Sequence, residues 1–204
     1  MIKTLDQMGC EQGTDRASSG LHDYLRKGYE PILAPFRHEP IVLLEMGVLG
    51  GAGIRMWNEY FDNPLARIVG IDIQDYGGVI PKNSRVSVKY GSQSDPVFLA
   101  TLPPTFDIII DDAGHFAHDQ ILSYGMLWSR VRAGGWYIIE DLHTAHSSQH
   151  CNGSLTITQF IGGIITNMQD HNGPAGMAKL TPDDQIEQIV IRKGIAFIEK
   201  RLIQ

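Results

Sequence analysis

Cysteine is scarce: the 204 residues hold only Cys10 and Cys151, in no CxxC pair, so neither a disulfide framework nor a thiolate zinc site is on offer. A reducing compartment is expected. No window approaches the about eighteen consecutive apolar residues of a membrane span, and the opening MIKTLDQMGC lacks an apolar stretch of signal-peptide length. The expected location is therefore the cytoplasm, with no membrane partner. Basic runs are missing too. With 17 Lys and Arg against 23 Asp and Glu the net charge is −6, the wrong balance for a surface that neutralises phosphates, and nucleic acid is not an expected partner. Repeats, linkers and low-complexity segments are also absent. A single domain is expected, with 1–40 as an N-terminal arm or lid and 41–204 as the domain proper. What is present is apolar bulk, 43% of the residues, in a chain long enough to remove roughly 70% of its extended surface from water. Fibrous, disordered and mini-protein classes are excluded.

Residues 1–40 are polar and irregular, with prolines at 31, 35 and 40 and room for one short helix. From 41 the texture changes. Ile41-Val42-Leu43-Leu44 is a continuous apolar run of the kind a parallel strand buried on both faces requires. Glycines at 47, 50, 51 and 53 end it, 54–62 repeats apolar residues at helical spacing, and 66–73 (ARIVGIDI) is a second strand closing on Asp72. That is one βαβ unit. RVSVKY at 85–90, a short helix at 95–101, FDIIID at 106–111, a helix at 117–130, a turn at Gly134-Gly135 and WYIIED at 136–141 continue the alternation. A helix is expected at 155–169. QIVIRKGIAFIEK at 188–200 reads as a hairpin turning at Lys193-Gly194, although Thr181-Pro182-Asp183-Asp184 also resembles a helix start. The expected fold class is α/β, a Rossmann-like doubly wound and mostly parallel sheet with a C-terminal antiparallel hairpin.

Glu45-Met46-Gly47-Val48-Leu49-Gly50-Gly51-Ala52-Gly53 lies at a strand-to-helix junction, where glycines let a ligand approach the backbone and free N–H groups point outward. Asp72, closing the next strand, can accept hydrogen bonds from ribose hydroxyls. A dinucleotide site wants GxGxxG or GxGxxA, yet Gly51-Ala52-Gly53 is followed at the third place by Met56. The acidic Glu45 would repel a pyrophosphate and suits a ligand with a cationic amino group. S-adenosylmethionine fits better than a dinucleotide. The bland alternative is a tight turn in which Asp72 caps the following loop.

Asp111-Asp112 and Glu140-Asp141 close two further strands, at the sheet edge where open α/β folds bind ligands. Crowded carboxylates repel unless a cation neutralises them. Asp112, Glu140 and Asp141 form a hard oxygen set suited to Mg²⁺. His115, three residues after Asp112, is the candidate general base, since an imidazole beside a metal-held hydroxyl can take its proton. The alternative is that Asp112 and His115 only cap the helix starting near Phe116. His143, His146, His150 and Cys151 also cluster, but their spacing matches no helix face, so they read as a polar edge of the site, with His143 or Thr144 available to a substrate. Trp57, Trp128 and Trp136 read as packing.

LLEMGVLGGAGIRMWNEYF, RIVGIDI, FDIIIDDAGH and IIEDLHT, in this order and spacing, resemble the metal-dependent sugar O-methyltransferases of macrolide pathways and similar enzymes that methylate bacterial saccharides. The resemblance extends to GTD at 13–15 and to the terminal VIRKGIAFIEK. It implies a Rossmann-like fold that uses S-adenosylmethionine and Mg²⁺. It assigns Asp112, Glu140 and Asp141 to the metal, His115 to proton abstraction and Asp72 to the ribose. GSQSD at 91–95 matches the stretch beside the adenine, so the expected cofactor set is Glu45, Gly47, Gly51, Gly53, Asp72, Ser92, Gln93, Ser94 and Asp111. Ala113-Gly114 replaces the more usual Gly-Ser between the acids and the histidine. The macrolide enzymes carry a further N-terminal domain that is not expected of this protein, so the expected acceptor is a hydroxyl on a simpler glycoside or oligosaccharide. The expected assembly is a homodimer. A cephalosporin hydroxylase-like activity, a nucleotide-dependent oxidoreductase and a non-catalytic cofactor-binding accessory are the rivals.

Overall fold

Six residues in a row with no exposed member, Phe106–Asp111, leave the chain no choice but a strand covered on both faces, and such strands organise the computed structural model. It describes residues 2–151, 155–169 and 185–202. Backbone contacts divide the chain into two compact units, Met1–Ser92 and Gln93–Gln204.

In the first unit helix α1 (Leu5–Gln12) is closed by a capping box, the Gln7 N–H donating to Thr4 Oγ1 and the Thr4 N–H to Gln7 Oε1. Gly13, at φ 72, stops it. A π-helical turn at Leu25–Tyr29 runs into α2 (Glu30–Leu33), and Leu5, Met8, Leu25, Tyr29 and Leu33 are buried. The first forty residues are thus packed through their own apolar side chains. Strands β1 (Val42–Met46), β2 (Arg67–Asp72) and β3 (Val86–Tyr90) pair in parallel in the order β3-β2-β1. Helix α3 (Ala52–Tyr60) follows β1. It begins two residues before the expected start because Gly51, at φ 78, forms its N-terminal boundary.

In the second unit Asp95 caps α4 (Pro96–Ala100) by accepting from the N–H groups of Val97 and Phe98. Then come β4 (Phe106–Asp111), α5 (Ala117–Leu127), β5 (Val131–Ile139), α6 (Ser148–Cys151), α7 (Ile157–Gln169), β6 (Ile186–Arg192) and β7 (Ile195–Lys200). The strand order is β4-β5-β7-β6, with β4 and β5 parallel and β7 antiparallel to both neighbours. Gly134-Gly135, expected to turn the chain into a strand, lies inside β5. The register with β4 jumps from Phe106↔Val131 to Ile108↔Trp136, so the glycines sit in an irregular bulge. A Cβ on Gly135 would approach the Asp107 carbonyl oxygen to 2.5 Å, which is why glycine stands there. The hairpin at Lys193-Gly194 is formed, while the alternative helix start at Thr181-Pro182 falls outside the described residues. The fold class is the expected one: Rossmann-like, mostly parallel, with an antiparallel C-terminal pair. Trp57, Trp128 and Trp136 are core residues, all under 7% exposed.

Candidate active site

The turn after β1 is held by side chains from three places in the first unit. Gly47 and Gly51 adopt positive φ, and between them Leu49 is held at φ 45, a conformation that costs a non-glycine residue about 1–3 kcal/mol. Asp72 supplies much of the restraint. Its Oδ2 accepts from the N–H groups of Val48 and Leu49, both at 2.8 Å, and its Oδ1 accepts the Ile73 N–H at 2.7 Å. With roughly four lone-pair directions on a carboxylate, capacity for one ligand hydroxyl remains on a group already oriented by the turn. Arg55 braces the other side, donating to the carbonyls of Gly50 and Val79 and, through Nε, to Gln12 Oε1. Gly51 owes its identity to this packing as well as to its φ, because a Cβ there would lie 2.8 Å from the Val79 oxygen.

Glu45 is 1% exposed. Its Oε1 accepts from Arg16 Nη1 at 2.7 Å and from Trp57 Nε1 at 3.1 Å, while Oε2 is buried with no hydrogen-bond partner among the described residues. Burial pushes its carboxyl up from the usual range, and the Arg16 guanidinium and Trp57 N–H pull it back. A Cβ on Gly53 would collide with both the Glu45 carboxylate and the Arg16 guanidinium. Gly53 is therefore small to seat an ion pair. Arg16 carries no signal of its own beside GTD at 13–15, and only the structure finds it.

The second unit gathers the acids and the histidine. Asp112, His115 and Asp141 each offer a ligand atom, and these atoms lie within 4.8 Å of one another. His115 Nε2 is 3.4 Å from Asp141 Oδ2, and His143 Nδ1 is 3.9 Å from Asp141 Oδ1. His115 and Asp141 both sit at φ 56. Two non-glycine residues in the left-handed region within one cluster are conformational cost placed where ligand atoms converge. Thr144 secures both turns, its hydroxyl 2.8 Å from the Asp141 carbonyl oxygen and 3.4 Å from that of His115. It is turned inward, at 8% exposure, whereas His143 is exposed. Glu140, expected as a third metal ligand, is 1% exposed and stands outside the group of three. Beyond the end of β5 at Ile139 the chain leaves the extended conformation, with Asp141 at φ 56 and ψ 40.

Asp111 is fully buried. Its Oδ2 accepts from Ser123 Oγ at 2.6 Å and the Tyr137 hydroxyl at 3.2 Å, and its Oδ1 from Gln93 Nε2 at 3.2 Å. Burial pushes its carboxyl up to about 6 against those hydrogen bonds. With both oxygens engaged inside the protein, it is an anchor beside the cluster, and Ser123 and Tyr137 are partners that the sequence did not single out. Gln93 is 5% exposed, and Ser92 and Ser94 flank it half-buried. His150 and Cys151 lie outside the Asp112 cluster: His150 Nδ1 contacts Ser147 Oγ at 3.0 Å and the Cys151 thiol points at the Ala145 carbonyl oxygen.

No family model matches the chain. It is 29% identical, over 98% of its length, to 8-demethyl-8-alpha-L-rhamnosyl tetracenomycin-C 2'-O-methyltransferase of Streptomyces olivaceus. It is 34% identical, over 81% of its length, to the 8-demethyl-8-(2-methoxy-alpha-L-rhamnosyl)-tetracenomycin-C 3'-O-methyltransferase of the same organism. Among solved structures it superposes with a TM-score of 0.80 at 28% identity, over 98% of its length, on the MycE methyltransferase of the mycinamycin pathway in complex with Mg, SAH and mycinamycin VI. A Podospora anserina methyltransferase bound to SAH, at TM-score 0.59 and 15% identity, shares the fold. The chain spans about half the length of these relatives, 55% and 41% of the two Streptomyces proteins and 55% of MycE.

Proposed function

From the premise that this chain is a homologue of sugar O-methyltransferases over the half of their length that it spans, we propose that it transfers a methyl group from S-adenosylmethionine to a sugar hydroxyl of a glycosylated small molecule, with Mg²⁺ as cofactor. The observation that carries the reading is the convergence of Asp112, His115 and Asp141 within 4.8 Å, in a chain whose glycine turn is braced by an acidic strand end.

The first unit supplies the cofactor contacts: Asp72, preoriented by the turn it holds, takes a ribose hydroxyl, and the unpartnered Glu45 Oε2 is an acceptor suited to a cationic ligand. Ser92 and Ser94 keep the assignment to the adenine side, and Gly47 that to the turn's approach to the ligand. In the second unit Asp112, Glu140 and Asp141 are the oxygen donors assigned to a hard divalent cation, Asp112 and Asp141 within the group that converges on His115. When bound, that ion supplies orientation and a lowered hydroxyl pKa. His115 takes the proton on Nε2, the nitrogen that faces Asp141, and the developing imidazolium is stabilised by that carboxylate. The acceptor oxygen forms the new O–CH3 bond as the S–CH3 bond breaks, and S-adenosylhomocysteine leaves. His143, exposed beside Asp141, is assigned to the acceptor. A cytoplasmic homodimer completes the proposal, and size-exclusion elution at twice the chain's mass tests the assembly.

The deciding experiment is thermal unfolding with S-adenosylhomocysteine, with and without MgCl2, against EDTA and NADH, followed by radiolabelled methyl transfer to rhamnosylated acceptors. Stabilisation by both ligands and label in a glycoside support the reading. Response to neither, or to NADH alone, overturns it. His115→Ala should lower turnover by about 10²–10⁴-fold while S-adenosylhomocysteine still binds. Unchanged turnover removes His115 from the mechanism. Glu140→Gln with unaltered Mg²⁺ uptake would remove Glu140 from the ligand set.

A further inference from the structure

Gln93 falls in the stretch that resembles an adenine-binding loop, yet its side chain is 5% exposed and both ends of its carboxamide are engaged within the second unit. Nε2 donates to Asp111 Oδ1 at 3.2 Å, and Oε1 accepts the backbone N–H of Gly114 at 3.1 Å. Between these attachment points lies Asp112, and immediately beyond them His115. The Asp111 end is itself fixed, because its other oxygen is held by Ser123 and Tyr137 and the residue has no exposed surface. One carboxamide therefore spans the turn from a rigid carboxylate to the amide just before His115.

We propose that Gln93 is a positioning residue for the Asp112–His115 turn rather than a contact to the cofactor's adenine. The chemistry of the side chain supports the assignment. Only a group that donates at one end and accepts at the other can meet a carboxylate and an N–H at once. A carboxylate in its place would face Asp111 with like charge, and an apolar chain would leave a buried N–H and a buried carboxylate oxygen short of partners. The clamp also accounts for how His115 is held at φ 56: the residue before it is tied through its N–H, and its own carbonyl lies within reach of the Thr144 hydroxyl.

The inference rests on the O-methyltransferase reading, and its test separates the two. Wild type, Gln93→Met and Ser123→Ala are titrated calorimetrically with MgCl2 and, separately, with S-adenosylhomocysteine, and hydrogen exchange of the Gly114 amide is followed. Gln93→Met is expected to weaken Mg²⁺ binding by about 10–100-fold, the range for partners that orient metal ligands, and to speed Gly114 exchange, with S-adenosylhomocysteine affinity within about twofold of wild type. Ser123→Ala, which loosens Asp111 but leaves the Gly114 bond, should lower the melting temperature and keep Gly114 protected. A Gln93→Met protein that loses S-adenosylhomocysteine affinity with Mg²⁺ binding intact overturns the proposal in favour of the adenine contact. So does one with unchanged Gly114 exchange and unchanged Mg²⁺ affinity. If wild type takes up neither ligand, the O-methyltransferase reading falls and the positioning role with it; if wild type binds both and Gln93→Met binds both equally, only the positioning role falls. Should Gln93→Met fail to fold, Gln93→Asn, one methylene too short to span both partners, carries the same comparison.

Discussion

Glu45, expected to suit a ligand with a cationic amino group, is tied in the fold to Arg16 through one of its two carboxylate oxygens. Both are nearly inaccessible, at 1% and 3% exposure, so each charge needs the other. Removing one partner of such a pair leaves an uncompensated buried charge. Arg16→Met should therefore destabilise the protein by about 3–5 kcal/mol near neutral pH, measured by urea unfolding. The pH dependence follows from Glu45. Burial already raises its carboxyl above 4.5, and Arg16 is the largest of the influences pulling it down, so the variant raises it further. A carboxyl whose folded pKa lies above its unfolded value contributes stability that is complete below the unfolded pKa and lost as pH rises through the folded one. The Arg16→Met deficit should shrink toward pH 5 and grow toward pH 8. A deficit independent of pH would show that the charge of Glu45 is not its cause. The same logic of occupied groups applies to Thr144 and Asp111, whose polar atoms are engaged within the protein before any ligand arrives.

At the scale of elements the buried strands were legible because a parallel strand covered on both faces writes itself as an unbroken apolar run, as in Ile108-Ile109-Ile110. The Gly134-Gly135 pair misled because glycine serves a turn and a bulge equally well. Only the close approach of the Asp107 carbonyl, which no local pattern encodes, selects the bulge. The C-terminal hairpin was legible from Lys193-Gly194, and Gly194 does adopt φ 82. Its turn reaches further than the sheet: the Gly194 carbonyl accepts the N–H of Leu142, the residue after Asp141, at 2.8 Å. Gly194→Ala should cost about 1 kcal/mol through the positive φ, a drop of about 2–4 °C in melting temperature for a chain of this size. It should also weaken Mg²⁺ binding, read by calorimetry. A melting temperature equal to wild type would mean the turn tolerates a Cβ.

For the molecule as a whole, each ligand of the proposed reaction binds the folded state alone and so raises stability by mass action. At one hundred times its dissociation constant, S-adenosylhomocysteine should add about 2.7 kcal/mol, and Mg²⁺ a separate increment that EDTA removes. A Mg²⁺ increment that persists in an Asp112→Asn, Asp141→Asn double variant would detach Mg²⁺ from the cluster. Sequence alone determined the fold class, the strands, the glycine turn and the set of acids and histidine, because period, apolar runs and strand-end residues are local properties of the chain. Tertiary structure alone decided which of those groups are spent within the protein and which converge. Arg16 reaches Glu45 across 29 residues, and Gln93 reaches Asp111 across 18. His115, Asp112 and Asp141 converge because the segments that follow the paired strands β4 and β5 meet at one end of the sheet, and that meeting is set by long-range pairing rather than by any local pattern.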